Sequence, residues 1–213
     1  MRLYRHYFWD FDGTLFDSYP HSTAALLDTA AHFGIPADPG AVSRLIHLHF
    51  AEAFRALGLN SEQLAFFHAR RGDDAFPPPI VPFPHARATL AALHRAGARH
   101  YLYTHSNRRM SVRFVEKYGL DGYFADFMAA DSPGFASKPA PDALLTLMAR
   151  HGIDPAEAVM VGDRELDIVS GHNAGIDGML VDPEHWVGET TAEARVDDLL
   201  GLIPEGIDYR DLL

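Results

Sequence analysis

The chain has 213 residues, 47% of them hydrophobic, which suffices for one domain or for a core domain with a smaller insertion. Its 29 Asp and Glu residues outnumber 18 Lys and Arg, for a formal net charge of −11, so neither nucleic acid nor an anionic membrane is expected as a partner. The absence of Cys excludes disulfides and thiolate chemistry, and no apolar run approaches the ~20 residues of a membrane span, so we expect a cytoplasmic protein, monomeric or weakly dimeric.

Strands alternate with helices along most of the chain, a pattern typical of a parallel sheet covered by helices on both faces. The first predicted strand spans residues 3–10. Only helical patterns follow it, and they predict helices at 22–33, 39–48, 50–57 and 61–71. The proline-rich run 77–84 predicts a semi-rigid connector, because proline lacks the amide hydrogen that helices and central strands need.

The alternation resumes after this connector. Further strands are predicted at 99–104, 127–129, 158–161 and 178–181. Further helices are predicted at 85–96, 108–118, 141–151 and 167–174, with only a helix or two in the tail 189–213. We therefore predict an α/β fold whose core, residues 1–15 and 83–213, is a Rossmann-like parallel sheet, with a helical insertion over residues 16–82.

Two aspartates follow the first predicted strand. Asp10 and Asp12 are two residues apart, so their side chains share one face of the strand and should converge beyond its carboxyl end. Ionised carboxylates are costly to desolvate unless they are paired or bind a cation. The pair therefore predicts a site for a divalent metal and a phosphate.

Later strand ends also carry polar side chains, and open α/β sheets bind ligands at the carboxyl ends of their strands. Thr104 follows the second strand, just ahead of a predicted helix N-terminus that suits a phosphate oxygen. Lys138 precedes another helix, and Asp163 and Asp167 follow the strand predicted at 158–161. Together these residues supply a hydroxyl group, a cation and two further acids.

This set of residues suits phosphoryl transfer through an aspartyl phosphate. Asp10 would be the nucleophile, and Asp12 the general acid and then the base that activates water. Thr104 and Lys138 would hold the transferring phosphoryl group. Attack of one anion on another needs positive charge, which Lys138 would supply together with Mg²⁺ bound by hard oxygen ligands.

Asp163 is predicted to complete the metal site, and Asp167 to reach the metal through water or to orient its ligands. Asp167 has a structural alternative, because an acid at this position also serves as a helix cap. Ser106 and Asn107 are interpreted as helix caps.

The 13 histidines invite an alternative metal site, which we do not expect. His47 and His49 lie two residues apart, which places them on different faces of a helix. No third ligand follows at a spacing typical of zinc sites. The histidines of the insertion are therefore interpreted as solvated or capping residues.

The chain resembles the haloacid dehalogenase-like (HAD) hydrolases, in particular the branch of phosphoglycolate phosphatase and β-phosphoglucomutase. Four family motifs occur in order, as Asp10-Phe11-Asp12-Gly13-Thr14-Leu15, Thr104, Lys138-Pro139 and Gly162-Asp163-Arg164-Glu165-Leu166-Asp167. All four in order at strand ends are much more specific than any one of them. The resemblance spans residues 3–182.

The resemblance implies that Asp10 is the nucleophile and Asp12 the acid–base residue. It implies phosphate contacts from Thr104 and Lys138, and His105 beside Thr104 is a further predicted substrate-binding residue. It also implies Mg²⁺ on Asp10, the Asp12 carbonyl and Asp163, with Asp167 as an additional metal-site residue. Residues 16–82 would be a mobile helical cap that closes over the substrate.

The expected function is Mg²⁺-dependent hydrolysis of a small phosphate monoester through a phosphoaspartyl intermediate. A phosphomutase of the β-phosphoglucomutase type is the nearest alternative, because it uses the same core residues. A non-catalytic phosphate-sensing regulator on the same fold is a third alternative. Dehalogenation is not expected, because the dehalogenases of the family need neither the second aspartate nor the metal.

Overall fold

Eight β-strands and eight α-helices make up the protein, whose computed structural model describes residues 1–213. The strands are β1 (His6–Trp9), β2 (Phe16–Asp17), β3 (Val81–Pro82), β4 (Arg99–Tyr103), β5 (Phe124–Met128), β6 (Ala158–Gly162), β7 (Asp177–Val181) and β8 (Ala194–Val196). The helices are α1 (Tyr19–His32), α2 (Pro39–Leu48), α3 (Phe50–Ala56), α4 (Ser61–Arg71), α5 (Ala86–Arg95), α6 (Arg108–Lys117), α7 (Asp142–His151) and α8 (Glu165–Asn173).

Six strands form one parallel sheet in the order β5-β4-β1-β6-β7-β8. β1 is paired on both sides, with Trp9 opposite Leu102 of β4 and Val161 of β6. Its last three residues are fully buried, as expected for a central parallel strand with both faces covered. The predicted α/β fold with a parallel sheet is confirmed, and the carboxyl ends of its strands share one edge.

Large apolar side chains cover both faces of β1. On one face, Phe8 packs in a core cluster with Tyr101 of β4 and Leu144 of α7. On the other, the indole N–H of Trp9 donates a hydrogen bond to Nδ1 of His100 over 3.0 Å. This bond satisfies the polar atom of a fully buried indole. Burial lowers the pKa of His100 to about 3, so its ring is neutral.

Residues Phe16–Val81 form a separate compact unit that contains α1 to α4, while residues Met1–Leu15 and Pro82–Leu213 form the other. In the helical unit, the side chains of Asn60 and Gln63 cap α4 reciprocally, each accepting the other's backbone N–H. The core of this unit consists of Tyr19, Ala25, Leu26, Val42, Ile46, Ala53 and Phe67. Its role as a substrate cap stays a prediction.

Histidines of the helical unit contact backbone groups. His21 is buried, with Nδ1 at 2.7 Å from the Pro78 carbonyl oxygen and Nε2 at 3.0 Å from that of Arg71. His49 Nδ1 accepts the Ala51 N–H at the start of α3, and His47 Nδ1 lies 2.9 Å from the Ser43 carbonyl oxygen. These contacts agree with the interpretation of His49 as a capping residue.

Three differences from the predicted elements have local causes. The predicted helices of the tail are wrong: it contains strand β8 and short 3₁₀ turns, because Pro204 interrupts an apolar pattern too short for an α-helix. The proline run contains β3, which pairs with β2 in a two-stranded sheet. α1 begins at Tyr19, earlier than predicted, because Pro20 is tolerated in the first turn, where no intrahelical amide bond is lost.

None of the helices is long and apolar enough to cross a lipid bilayer. The cytoplasmic location expected from composition stays a prediction.

Candidate active site

Lys138 lies between two aspartates at the carboxyl edge of the sheet. Its Nζ donates a hydrogen bond to Oδ1 of Asp10 over 2.7 Å and lies equally close to Oδ1 of Asp167. The contact between Lys138 and Asp167 is an ion pair whose geometry is not that of a hydrogen bond. All three side chains are at most 4% exposed, so their charges are held together out of water.

The charges of this cluster do not balance by themselves. Burial raises the pKa of Asp10 above its ordinary value, Lys138 opposes this rise, and Asp167 adds to it. Burial alone would lower the pKa of Lys138, but the charges of Asp10 and Asp167 outweigh burial and raise it. One ammonium group therefore faces two carboxylates, and a further cation would stabilise the ionised form of Asp10.

Three carboxylates are close enough to share such a cation. Oxygens of Asp10, Asp163 and Asp167 lie within 4.8 Å of one another. Thr14 Oγ1 donates to Oδ1 of Asp163 over 3.3 Å and orients this carboxylate. An all-oxygen donor set of this kind suits Mg²⁺. The residues present therefore fit the predicted metal.

The turn between β6 and α8 places Asp167 in the cluster. A Cβ atom on residue 162 would lie 2.2 Å from Cβ of Asp167, so only glycine lets this side chain fold back against the end of β6. Oδ2 of Asp167 accepts the N–H of Arg164 over 3.1 Å, which closes the first turn of α8. Asp167 therefore caps the helix, one of the two roles that the sequence left open, and its carboxylate lies beside Lys138. Its role at the metal site stays a prediction.

Asp12 makes a different contact. Its Oδ2 accepts a hydrogen bond of 2.5 Å from Oγ of Ser106, and both residues are only 4% exposed. The N–H of Ser106 donates to Oγ1 of Thr104 over 3.0 Å. The interpretation of Ser106 as a helix cap is wrong, because the cap of α6 is Asn107, whose side chain accepts the N–H of Met110.

His105 connects the end of β4 to the segment that carries Lys138. Its Nε2 accepts the backbone N–H of Lys138 over 2.8 Å, so this ring nitrogen carries no hydrogen. The ring also meets Phe135 edge-on, with centroids 5.8 Å apart. Lys138 Nζ lies 4.6 Å from the ring centroid of Tyr103, whose hydroxyl group donates to the Ala136 carbonyl oxygen. These contacts fix the position of the lysine.

The structure thus brings together Asp10, Lys138, Asp163 and Asp167 by direct contact or close approach. Asp12 and Thr104 are both bonded to Ser106, a residue whose contact with Asp12 was not predicted. The signal in the sequence was a second hydroxyl two residues after Thr104, but serine before a helix is most often a cap.

The chain is similar to known proteins over most of its length. The profile of a family described as Haloacid dehalogenase-like hydrolase matches residues 7–181. A Phosphoglycolate phosphatase of Vibrio parahaemolyticus is 31% identical over 186 residues, 78% of each chain. One of Vibrio vulnificus is 39% identical over 93 residues, 44% of this chain and 40% of that relative. A predicted phosphoglycolate phosphatase from Haemophilus somnus shares the fold at a TM-score of 0.81, with 19% identity over 95% of this chain and 97% of that one.

Proposed function

Because the chain belongs to the haloacid dehalogenase-like hydrolases, we propose that it is a Mg²⁺-dependent phosphatase that acts on a small phosphate monoester through a phosphoaspartyl intermediate on Asp10. The observation that carries this proposal is the buried contact of Lys138 with Asp10, beside the carboxylates of Asp163 and Asp167. The chain thus offers residues suited to act as the nucleophile (Asp10), the acid–base residue (Asp12) and the source of positive charge (Lys138). A sensing protein would not need all three.

In the first step, a carboxylate oxygen of Asp10 attacks phosphorus and the ester P–O bond breaks. Asp12 gives its proton to the leaving oxygen, which departs as an alcohol. In the second step, water attacks the phosphorus of the acyl phosphate and gives a proton to Asp12. The bond between phosphorus and Asp10 breaks, inorganic phosphate leaves, and the carboxylate of Asp10 is restored.

Lys138 and Thr104 would bind oxygens of the phosphoryl group during both steps. Lys138 supplies a fixed positive charge in a dry site, where such charge stabilises a transition state most. The N–H of Ser106 occupies Oγ1 of Thr104 as an acceptor, which leaves the Thr104 hydroxyl hydrogen to donate elsewhere, including to phosphate. His105 would contribute by holding Lys138 in place.

Mg²⁺ would be held by Asp10, the Asp12 carbonyl and Asp163, with Asp167 beside them. When bound, it would neutralise charge on the phosphoryl group and on Asp10. The carboxylates are already close together in the protein, so little reorganisation is needed to bind it.

The substrate is proposed from the relatives. The relatives described above are named phosphoglycolate phosphatases, so 2-phosphoglycolate is the first ester to test. We propose that residues 16–82 act as the cap that selects the alcohol part of the substrate, because the residues proposed for the core address only phosphate and metal.

The test is hydrolysis of 4-nitrophenyl phosphate and 2-phosphoglycolate, with Mg²⁺ and with the metal removed by chelation. We expect turnover that requires Mg²⁺ and that falls roughly a thousandfold or more in Asp10→Ala. Asp121→Asn, which removes an exposed acid, is the matched control and should retain activity.

Two results would contradict the proposal. Turnover retained by Asp10→Ala would exclude Asp10 as the nucleophile. Failure of the folded wild-type protein to hydrolyse any ester in the presence of Mg²⁺ would also contradict it. Isomerisation of a sugar monophosphate on addition of a sugar bisphosphate would then identify a phosphomutase, and no activity of either kind would favour the sensing regulator.

A further inference from the structure

Ser106 forms a rigid junction between the acid–base residue and the end of β4. Its hydroxyl group donates to Oδ2 of Asp12 over 2.5 Å. Its backbone N–H donates to Oγ1 of Thr104, and its carbonyl oxygen accepts the N–H of Ala130 over 3.1 Å. The residue is 4% exposed. Three hydrogen bonds to three different segments leave it little freedom to move.

We propose that Ser106 is a positioning residue for Asp12: its hydroxyl group fixes the orientation of the Asp12 carboxyl group for proton transfer to the leaving oxygen. This inference rests on the proposed phosphatase function and adds to it a residue outside the four motifs. Ser106 acts through Asp12, because it is the Asp12 carboxyl group that exchanges the proton.

A hydroxyl group is well suited to this task. It donates to the carboxylate, and it can accept a hydrogen bond when the carboxyl group is protonated, because it has both a hydrogen and lone pairs. The contact can therefore persist as Asp12 loses and regains its proton during the two steps. A fixed amide N–H or an ammonium group can only donate, so it would favour the ionised state alone.

The position of a proton donor has a large effect on rate. A misplacement of ~1 Å in an active site costs about a hundredfold. A buried hydrogen bond to one oxygen of a carboxyl group restricts the rotation of this group about the Cβ–Cγ bond. Loss of this bond should widen the range of orientations of the Asp12 carboxyl group and include some from which its proton does not reach the leaving oxygen.

The backbone contacts of Ser106 make the inference testable. They hold Thr104 and Ala130, and they remain when the side chain is shortened. Ser106→Ala therefore removes the hydroxyl group from Asp12 while it leaves the end of β4 in place. This variant should therefore change proton transfer by Asp12 without disturbing phosphate binding by Thr104.

The experiment compares two leaving groups. 4-Nitrophenolate leaves with little help from an acid, whereas the alkoxide of glycolate, which leaves from 2-phosphoglycolate, requires protonation. kcat/KM covers the steps up to the departure of the leaving group. We expect Ser106→Ala to lower kcat/KM about tenfold more for 2-phosphoglycolate than for 4-nitrophenyl phosphate, and Ser106→Thr, which keeps a hydroxyl group, to restore most of the loss.

Ser111→Ala is the matched control. Ser111 is also a buried serine of the same region, but its hydroxyl group bonds the carbonyl oxygens of Asn107 and Arg108 within α6. This variant should leave the ratio of the two kcat/KM values unchanged. If Ser106→Ala is unfolded, Ser106→Cys replaces it, because a thiol has similar size and is a weak donor. It should show the same selective loss.

The outcomes separate this inference from the proposed function. Equal losses for the two esters in a folded Ser106 variant, with turnover that still depends on Asp10, would overturn the positioning role alone. The double variant gives a second test. If Ser106→Ala still lowers kcat/KM selectively for 2-phosphoglycolate when Asp12 is already replaced by Asn, the positioning role is overturned. A residue that acts through Asp12 has no such effect once the proton-donating carboxyl group is gone. A wild-type protein that hydrolyses neither ester would overturn both.

Discussion

The ammonium group of Lys138 lies 2.7 Å from a carboxylate oxygen of Asp10, and both side chains are almost completely buried. Neither charge could be buried here alone at a tolerable cost. The same pair thus contributes to the stability of the fold and, in the proposed function, to the reactivity of the nucleophile.

Replacing the lysine should therefore affect stability and activity together. Lys138→Met keeps the length of the side chain but leaves Asp10 and Asp167 without their shared cation. We expect a loss of about 3–5 kcal/mol in the free energy of unfolding without Mg²⁺, measured by urea denaturation, because breaking one partner strands a buried charge. We also expect turnover to fall about a hundredfold or more.

Lys117→Met is the control for this prediction. Lys117 is exposed on α6, so its replacement should change stability by no more than ~0.5 kcal/mol. A Lys138→Met variant as stable as the control would mean that the two aspartates are not ionised in the folded protein without metal.

Gly162 is expected to tolerate no side chain. The Cβ of Gly162→Ala would lie 2.2 Å from Cβ of Asp167, so the start of α8 must move away from the strand end. We expect a loss of roughly 1–3 kcal/mol in stability and loss of most activity. Gly188→Ala is the matched control, because a Cβ there meets no atom within 4 Å. Similar thermal unfolding of the two variants would contradict the prediction.

The main features of this site follow from simple physical patterns, which explains why many were predicted from sequence. A buried parallel strand is a continuous apolar run, so the polar residue that ends it stands out, as Asp10 does after Trp9. Thr104 follows its strand with the same contrast. Parallel strands bring such residues to one edge, whatever their distance along the chain.

The features that were missed depend on contacts between distant residues. Ser106 and Asn107 both precede α6 and both have side chains that commonly cap helices. Only the structure shows that the hydroxyl group of Ser106 bonds Asp12, while Asn107 caps the helix. Strand β8 has three residues and lies at the sheet edge, too short to show an alternating pattern. The buried hydrogen bond of His100 joins it to Trp9, 91 residues away in sequence.

His100 should make stability depend on pH. Its pKa is lowered to about 3 in the folded protein, mainly by burial, against an ordinary value of 6.5. Below pH 6.5 the unfolded chain therefore binds a proton that the folded protein does not. The contribution of His100 to the free energy of unfolding is therefore fully present above this pH and is lost as the pH falls towards 3. Between pH 7 and pH 5 this loss is about 2 kcal/mol.

The test is urea denaturation between pH 5 and pH 7 on wild type and His100→Gln, whose carbonyl oxygen can still accept from Trp9. The variant should show a smaller loss of stability at low pH than wild type. His94→Gln removes an exposed histidine whose charge lowers the pKa of His100 less than burial does, so this variant should keep most of the wild-type slope. Parallel curves for wild type and His100→Gln would show that His100 does not contribute.

Metal binding should depend on Asp163. In wild type we expect Mg²⁺ to raise the midpoint of thermal unfolding, since a ligand bound only by the folded state stabilises it. Asp163→Asn removes one charge from the carboxylate cluster and should abolish most of this rise, and Asp121→Asn should retain it. An equal rise in all three proteins would place the stabilising metal elsewhere.

The central position of β1 has a consequence for the synthesis of the protein. β1 is complete at Trp9, but its two neighbours begin at Arg99 and Ala158. At a translation rate of ~5–20 residues per second, roughly 7–30 s pass before the second neighbour of this apolar strand has been synthesised. The helical unit, continuous in sequence, has all its residues much earlier. Asp10, the proposed nucleophile, is thus made well before the strands that surround it in the sheet, which makes early β1 a segment for chaperones to protect.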